Sequence, residues 1–418
     1  MSPGTGPEGG PLLDSGQVLD VDVAIVGGGP VGLALAILLQ QQGLRTAVLE
    51  RRTTRSSHSR AIGIHPPGLA ALEGTGITEQ LTSEGVQIRH GAARTRDRRL
   101  VSIRFTRTAT RYPYVLALPQ ERTETILEDR LRSLAPTALH RGHTVTALVD
   151  TGSSVILAGI SGADGGTGAV RGTGADVGTG TVGEDAGFAV HAAFVVAADG
   201  ARSPLRGLLG AAVEGKVLPD HYLMGDFPDT TGDGALGVLY LEPEGIVESF
   251  PLPAGKRRWV AHTRTLLAEA DAKLLATTVQ ERTGQQLDTA GNSMLSAFSV
   301  RTALARQLVH GRTVLIGDAA HEVSPIGGQG LTLGWLDAAE LAPLLASGVR
   351  GVDIRGQLAQ FDRRRRRAAR TASAQARLNM ALGRPLPPPI MRARNAALAA
   401  LFRAPQLGDL VARRFTMQ

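Results

Sequence analysis

Apolar positions fall into two rhythms along this chain. Val21–Val26 is a short, mostly apolar run rich in β-branched residues, which predicts a buried parallel strand. A glycine-rich turn follows, then a helix to about Gln42 that Gly43 ends, then a second strand over Thr46–Leu49. Together these make a βαβ unit of about 30 residues. Ala117–Gln120 ends a strand ahead of a helix over Glu121–Leu134, and Phe194–Ala198 and Thr313–Ile316 are two more buried strands. The rhythm changes over residues 222–264. Leu236–Leu241, Val247–Leu252 and Arg258–Thr263 are short runs parted by proline and glycine, which predicts an antiparallel sheet. Helices are expected over Leu266–Thr283, Leu331–Ala346, Ala359–Met380 and Met391–Phe402, with Pro385 and the Pro387–Pro389 run parting the last two.

Two stretches follow neither rhythm. Residues 1–20 carry Pro, Gly and Asp without a basic segment, so they read as a flexible leader rather than a signal peptide. Residues 159–187, dominated by Gly, Thr, Ala and Asp, read as a long flexible hairpin connection.

The length of 418 residues is enough for two to three domains at ~150 residues each. The absence of cysteine excludes disulfides, thiolate metal sites, iron–sulfur clusters and thiol nucleophiles. The formal net charge of +7 is almost all arginine, because Lys216, Lys256 and Lys273 are the only lysines. With aromatics at 4% and no nucleic-acid motif, a compositional bias accounts for it better than a polyanion-binding surface. The longest apolar run near the N-terminus, Val31–Leu39, falls far short of the ~20 residues of a membrane span. A cytoplasmic protein without nucleic-acid or membrane partners, either monomer or homodimer, is expected.

Gly27-x-Gly29-x-x-Gly32, set between a strand and a helix, matches the dinucleotide fingerprint. The first glycine allows the tight turn, the second lets a pyrophosphate approach the backbone, and the third lets helix and strand pack closely. The helix start at Pro30 offers free N–H groups and partial positive charge to phosphate. Glu50 ends the second strand 18 residues after Gly32, placed to accept ribose hydroxyls, with Arg51 beside it.

Two further motifs each follow a buried strand: Ala198-Asp199-Gly200-Ala201-Arg202-Ser203-x-x-Arg206 and Gly317-Asp318-Ala319-Ala320-His321. With the fingerprint, in this order, the chain resembles the flavoprotein aromatic hydroxylases, single-component FAD monooxygenases of the para-hydroxybenzoate hydroxylase type. The likeness runs from about Val21 to Gly383. It implies an α/β fold with α+β elements: a Rossmann-like FAD-binding domain (21–220 and 299–383), an inserted antiparallel-sheet substrate domain (221–298) and a C-terminal helical tail (384–418). Asp318 takes the role of contacting FAD ribose or ribityl hydroxyls. Asp199 and Arg202 fall between the FAD site and the NAD(P)H approach. Gln120 matches the glutamine that contacts the ribityl chain, and Val145 the adenine-side backbone contact. The loop with Pro325, Gly327, Gly328 and Gly330 would wrap the isoalloxazine, and Leu331 and Thr332 would present N–H groups to its pyrimidine end. Many relatives have asparagine at the Thr332 position, which leaves its side-chain contact in doubt. Arg60 matches the arginine beside the mobile flavin and is the one candidate near the chemistry; a surface arginine is the alternative. Met224, Leu239, Leu241 and Phe250, with Pro325, are candidates for the substrate pocket, though a one-residue slip in strand phase would turn them away.

Simpler readings stand beside these. Asp199 and Asp318 could be turn or cap residues. His321 has no second metal ligand nearby and reads as a packing or hydrogen-bonding group, so no metal is expected. The run Arg363–Arg367 on a helix reads as a solvated face rather than a binding patch. The resemblance implies an FAD-dependent hydroxylase that uses NADPH or NADH and dioxygen on an aromatic or polycyclic substrate, through a flavin 4a-hydroperoxide. Epoxidation, Baeyer–Villiger insertion, dehydrogenation or a non-catalytic flavin-binding role are the alternatives. The sequence identifies no base for substrate deprotonation.

Overall fold

The computed structural model describes residues 17–55, 61–105, 111–162, 187–402 and 405–417. The predicted βαβ unit is present as Gln17–Val26, Pro30–Gln40 and Thr46–Glu50. The first strand is the centre of an eight-stranded sheet. Phe188–Ala197 lies parallel to it on one side and Thr46–Glu50 on the other, with Thr313–Leu315 and Leu139–Arg141 parallel beyond them. Both faces are buried, which explains the near-continuous apolar runs. Val23, Ile25, Val48 and Val196 pack against helices Pro30–Gln40, Gln120–Leu134 and Gln329–Val349. Ala24, Val26, Leu49 and Val195 face the antiparallel strands His143–Asp150 and Val155–Ser161. Residues 1–20 are not all leader: the strand begins at Gln17, in register with Phe188. Val155–Ser161 and Phe188–Ala197 pair as antiparallel neighbours, and most of the glycine-rich segment that joins them lies outside the described residues.

A second eight-stranded sheet runs, edge to edge, through residues 321–322, 294–305, 213–228, 256–263, 247–252, 236–240, 90–94 and 99–104. The expected antiparallel strands are there, yet the sheet is not confined to 221–298. It recruits His90–Arg94 and Arg99–Arg104 from far upstream, and His90–Arg94 pairs parallel with Leu236–Tyr240. Pairing across more than a hundred residues leaves no local trace in sequence.

Helix boundaries also moved. Asp271 caps a helix that starts at Ala272 rather than Leu266, its side chain accepting from the Lys273 N–H. The helix after the glycine loop starts at Gln329, two residues early. Beyond Pro388–Leu401, a further helix, Pro405–Phe415, was not expected; Phe415 stacks on Phe105 at 5.5 Å. The arginine run divides. Arg363, Arg364 and Arg367 are exposed, but Arg365 is buried and its Nε donates to Asp337 at 2.5 Å. The neighbouring helix supplies that carboxylate, so the expected solvated face holds for only part of the run.

Candidate functional site

Three backbone turns meet at the ends of the parallel strands. Gly27 has φ +113°, and a Cβ there would lie 2.3 Å from the Ala198 oxygen; one on Gly32 would lie 2.0 Å from the Gly27 oxygen. Only glycine lets turn, helix and strand come this close. Gly29 differs: its backbone is extended, and the space where its Cβ would project holds no atom within 4 Å. That space belongs to a cavity of about 650 Å³, a size usual for ligand sites. Gly27, Gly29, Pro30, Glu50, Arg51, Gln120, Val145, Asp199 and Asp318 all line it. The first-turn N–H groups of Pro30–Gln40 have no intrahelical acceptor, and Trp335 Nε1 donates to the Pro30 carbonyl at 3.0 Å, holding two helices together.

Glu50 is buried, and its carboxylate is aimed before any ligand arrives. Oε2 accepts from the Gly28 N–H at 2.8 Å; Oε1 accepts from the Arg52 N–H and guanidinium, both at 3.0 Å. Gln120 donates to Glu124 Oε1 at 2.7 Å. Sequence reasoning missed Glu124, which also lines the cavity and whose pKa is pushed up by burial.

Asp199 is no simple cap. Its Oδ2 accepts from the Leu205 N–H at 3.1 Å, but its buried Oδ1 has no partner, and burial raises its pKa. Ser203 is the residue that caps the short helix Pro204–Leu208. Arg206 donates to the carbonyls of Ala201 and Ala319, tying the two aspartate motifs together. Arg202 is exposed and is not among the cavity-lining residues. Asp318 has solvent-accessible area, but that area opens into the cavity within a protein enclosure. Burial pushes its carboxyl up to about 6. Behind it, the Gly317 N–H donates to Asp337 at 2.9 Å, and His321 Nε2 meets the same carboxylate at 2.6 Å. Burial pulls the His321 pKa down, but Asp337 more than offsets this and holds it raised. His321 therefore has the hydrogen-bonding role expected.

Pro325, Gly327, Gly328, Gly330 and Leu331 bring the glycine loop and the start of its helix to the cavity. Gly32 and Thr332 are not among the lining residues. The buried Thr332 side chain turns away, its Oγ1 accepting from the His65 N–H at 3.1 Å, so only its backbone remains for a ligand. His65 was not anticipated. It lines the cavity, and its Nε2 donates to the Gly327 carbonyl at 2.8 Å. Burial lowers its pKa to about 4, so it is neutral at pH 7, with Nδ1 left as an unpartnered acceptor. Arg60 lies outside the described residues.

The second sheet roofs this cavity, and its register settles the strand phase. Leu239, Glu248, Val260, Met224 and Ser296 form one cross-strand row; Phe250, Arg258, Asp226 and Met294 form the next. Met224, Leu239, Leu241, Phe250 and Pro325 all line the cavity. The sheet's cavity face is apolar except for Glu248, Arg258 (paired with Asp226 beside it) and Glu322 on the edge strand. Val411 and Phe415 of the last helix close one side.

A turn that admits a close backbone approach, a preset carboxylate at Glu50, an unpartnered carboxyl oxygen at Asp199 and the cavity-lining carboxyl of Asp318 suit a dinucleotide carrying hydroxyl groups. The FAD binding domain family model matches residues 20–376. An anhydrotetracycline monooxygenase of Streptomyces rimosus is 32% identical over 347 residues, 79% of this chain and 63% of that protein. The chain thus spans less than two thirds of the length of this relative. The solved structure of the anhydrotetracycline hydroxylase OxyS from the same organism is 28% identical with a TM-score of 0.73, covering 96% of this chain and 76% of that one. The p-nitrophenol 4-monooxygenase of Pseudomonas putida DLL-E4 shares the fold, with a TM-score of 0.81 at 23% identity over 96% of this chain and 98% of that one. The chain belongs to the FAD binding domain family and combines a Rossmann-like sheet with a second, mostly antiparallel sheet.

Proposed function

We propose that this FAD-binding protein is a monooxygenase that uses NAD(P)H and dioxygen to hydroxylate an aromatic or polycyclic, polyketide-like substrate. The observation that carries the reading is one continuous cavity with dinucleotide-binding turns at one end and an apolar, two-row β-sheet roof at the other. The names of the two Streptomyces rimosus relatives supply the substrate class.

Bound FAD supplies the redox chemistry, taking electrons from NAD(P)H and activating dioxygen. The protein's part is to bind, orient and exclude water. The Gly27–Gly32 turn and the helix behind it hold the pyrophosphate, Glu50 the adenine-side ribose, and Asp318 and Gln120 the ribityl hydroxyls. The loop from Pro325 to Gly330 and the N–H groups at Leu331 and Thr332 hold the flavin ring, where a helix N-terminus favours negative charge. Met224, Leu239, Leu241 and Phe250 press a flat, apolar substrate toward it. A dry, shaped cavity keeps activated oxygen from water. With this reading goes a cytoplasmic setting, where NAD(P)H is available, and a small molecule rather than nucleic acid as the partner.

The test is NAD(P)H oxidation by the FAD-loaded protein across a panel of phenols and polycyclic polyketides, with ¹⁸O₂ labelling of products. Stimulation by at least one compound, with one labelled oxygen atom in the product, is expected. No stimulation by any member would refute the reading. Among the described residues no helix is long and apolar enough to cross a membrane.

A further inference from the structure

One carboxyl in the roof makes no contact that the fold requires. Glu248, on the strand Val247–Leu252, stands opposite Leu239 on one side and Val260 on the other, with Met224 next in the same row. It is 6% exposed and lines the cavity. Burial alone acts on it; no hydrogen bond or ion pair to a described residue stabilises its charged form.

Of the charged and titratable groups around it, Arg258 and Asp220 are held by other partners, the Tyr222 hydroxyl and His262 Nδ1 have no hydrogen-bond partner, His262 Nε2 faces Asp220 at 3.7 Å, and Glu322 lines the cavity from the far edge strand of the sheet. Arg258, one row along on the strand Lys256–Thr263, donates to both oxygens of Asp226 at 2.6 and 2.8 Å. On the strand beyond, Tyr222 carries a buried hydroxyl that burial, Glu248 and Asp220 all keep protonated. Asp220 is itself held by Arg384 at 2.8 and 2.7 Å. The strand on the other side presents Leu239, with Leu241 just past its end, and the helices that close the cavity present Asn379, Leu382, Leu398 and Phe402, none of them charged. Burying an unpaired carboxylate costs several kcal/mol. Nothing in the fold offsets this, whereas a hydroxyl entering the cavity would.

We propose that Glu248 is the general base that takes the proton from an acidic hydroxyl of the aromatic substrate; this rests on the monooxygenase reading above. The substrate O–H bond breaks, its electron pair stays on oxygen, and Glu248 becomes a neutral acid. The ring, now bearing an oxyanion, is the more electron-rich partner for oxygen transfer. Glu248 then returns its proton to the oxyanion of the product. Burial lifts this carboxyl to about 7, close to the optimum for a base working at neutral pH.

The test uses the FAD-loaded protein, first without NAD(P)H, titrated with 4-nitrophenol and 1,8-dihydroxyanthraquinone. The ionised forms of both have their own visible bands. Just above neutrality, wild type is expected to bind at least one of them ionised, and Glu248→Gln to bind the same compound neutral. In turnover, wild-type kcat/KM should rise with pH through about 7. Glu248→Gln should lose about 100-fold or more and show no such rise, and Glu248→Asp should restore part of the rate. Equal ionised fractions with matching pH profiles in wild type and Glu248→Gln would overturn the assignment and leave the monooxygenase reading standing. If neither phenol perturbs the flavin spectrum or stimulates NAD(P)H oxidation in wild type, the phenol-hydroxylating reading fails, and the base with it. Wild-type flavin content and melting temperature in Glu248→Gln separate loss of the carboxylate from misfolding.

Discussion

Two glycines three residues apart should respond in opposite ways to the same methyl group. In Gly32→Ala the new Cβ would sit 2.0 Å from the Gly27 carbonyl oxygen, about 1 Å inside the 3.0 Å below which real Cβ contacts are essentially never seen. Both partners are backbone, so helix and strand must move apart. Overpacking of this kind costs ~3 kcal/mol, a fall in Tm of roughly 3–4 °C in a chain of 418 residues. In Gly29→Ala the backbone, at φ −80° and ψ 179°, already suits alanine, and nothing lies within 4 Å of the new carbon. The ligand-free protein should melt within about 1 °C of wild type, an effect of ±0.5 kcal/mol. The methyl would instead take the space through which a pyrophosphate reaches the backbone. One lost charge-assisted hydrogen bond costs roughly 1.5–3 kcal/mol, about 10–100-fold in Kd for FAD. Differential scanning fluorimetry of the stripped protein and fluorescence titration with FAD separate the two effects. FAD affinity in Gly29→Ala within about twofold of wild type would show that the cofactor does not pass against this residue.

Asp318, raised to about 6 by burial, should make FAD affinity depend on pH. Hydroxyls donating to it favour its ionised form, so its pKa is lower in the complex than in the free protein. Affinity is therefore full above about pH 6 and lost as pH falls through that value. Cavity water screens part of the burial effect, so the fall by pH 5 should be at most about tenfold; a flat titration would contradict this, and Asp318→Asn should abolish the trend. Asp337→Ala strips buried His321 and Arg365 of their shared carboxylate, so a loss of ~3–5 kcal/mol is expected by thermal or urea denaturation. Phe415→Ala removes a ring stacked on Phe105 at the cavity wall and should weaken binding of polycyclic ligands by ~0.5–1.5 kcal/mol, readable as a roughly two- to tenfold rise in Kd by flavin difference spectroscopy.

What the sequence determined by itself was local. Val21–Glu50 was legible because a strand buried on both faces must be apolar throughout, and because only glycine fits where Gly27 meets Ala198 and Gly32 meets Gly27. The aspartates at 199 and 318 were legible because each follows directly on a buried strand. Tertiary structure decided the rest. The phase of Val247–Leu252 comes from its pairing partners: a slip of one residue would send Ser249 into the cavity and Glu248 out of it. No local pattern distinguished Arg365 from its exposed neighbours; burial came from Asp337 on another helix. His65, Glu124, Glu248 and Phe415 reach one cavity from four distant segments. Periodicity reports which face of an element is buried, while the meeting of such faces depends on long-range pairing that no short window of sequence contains.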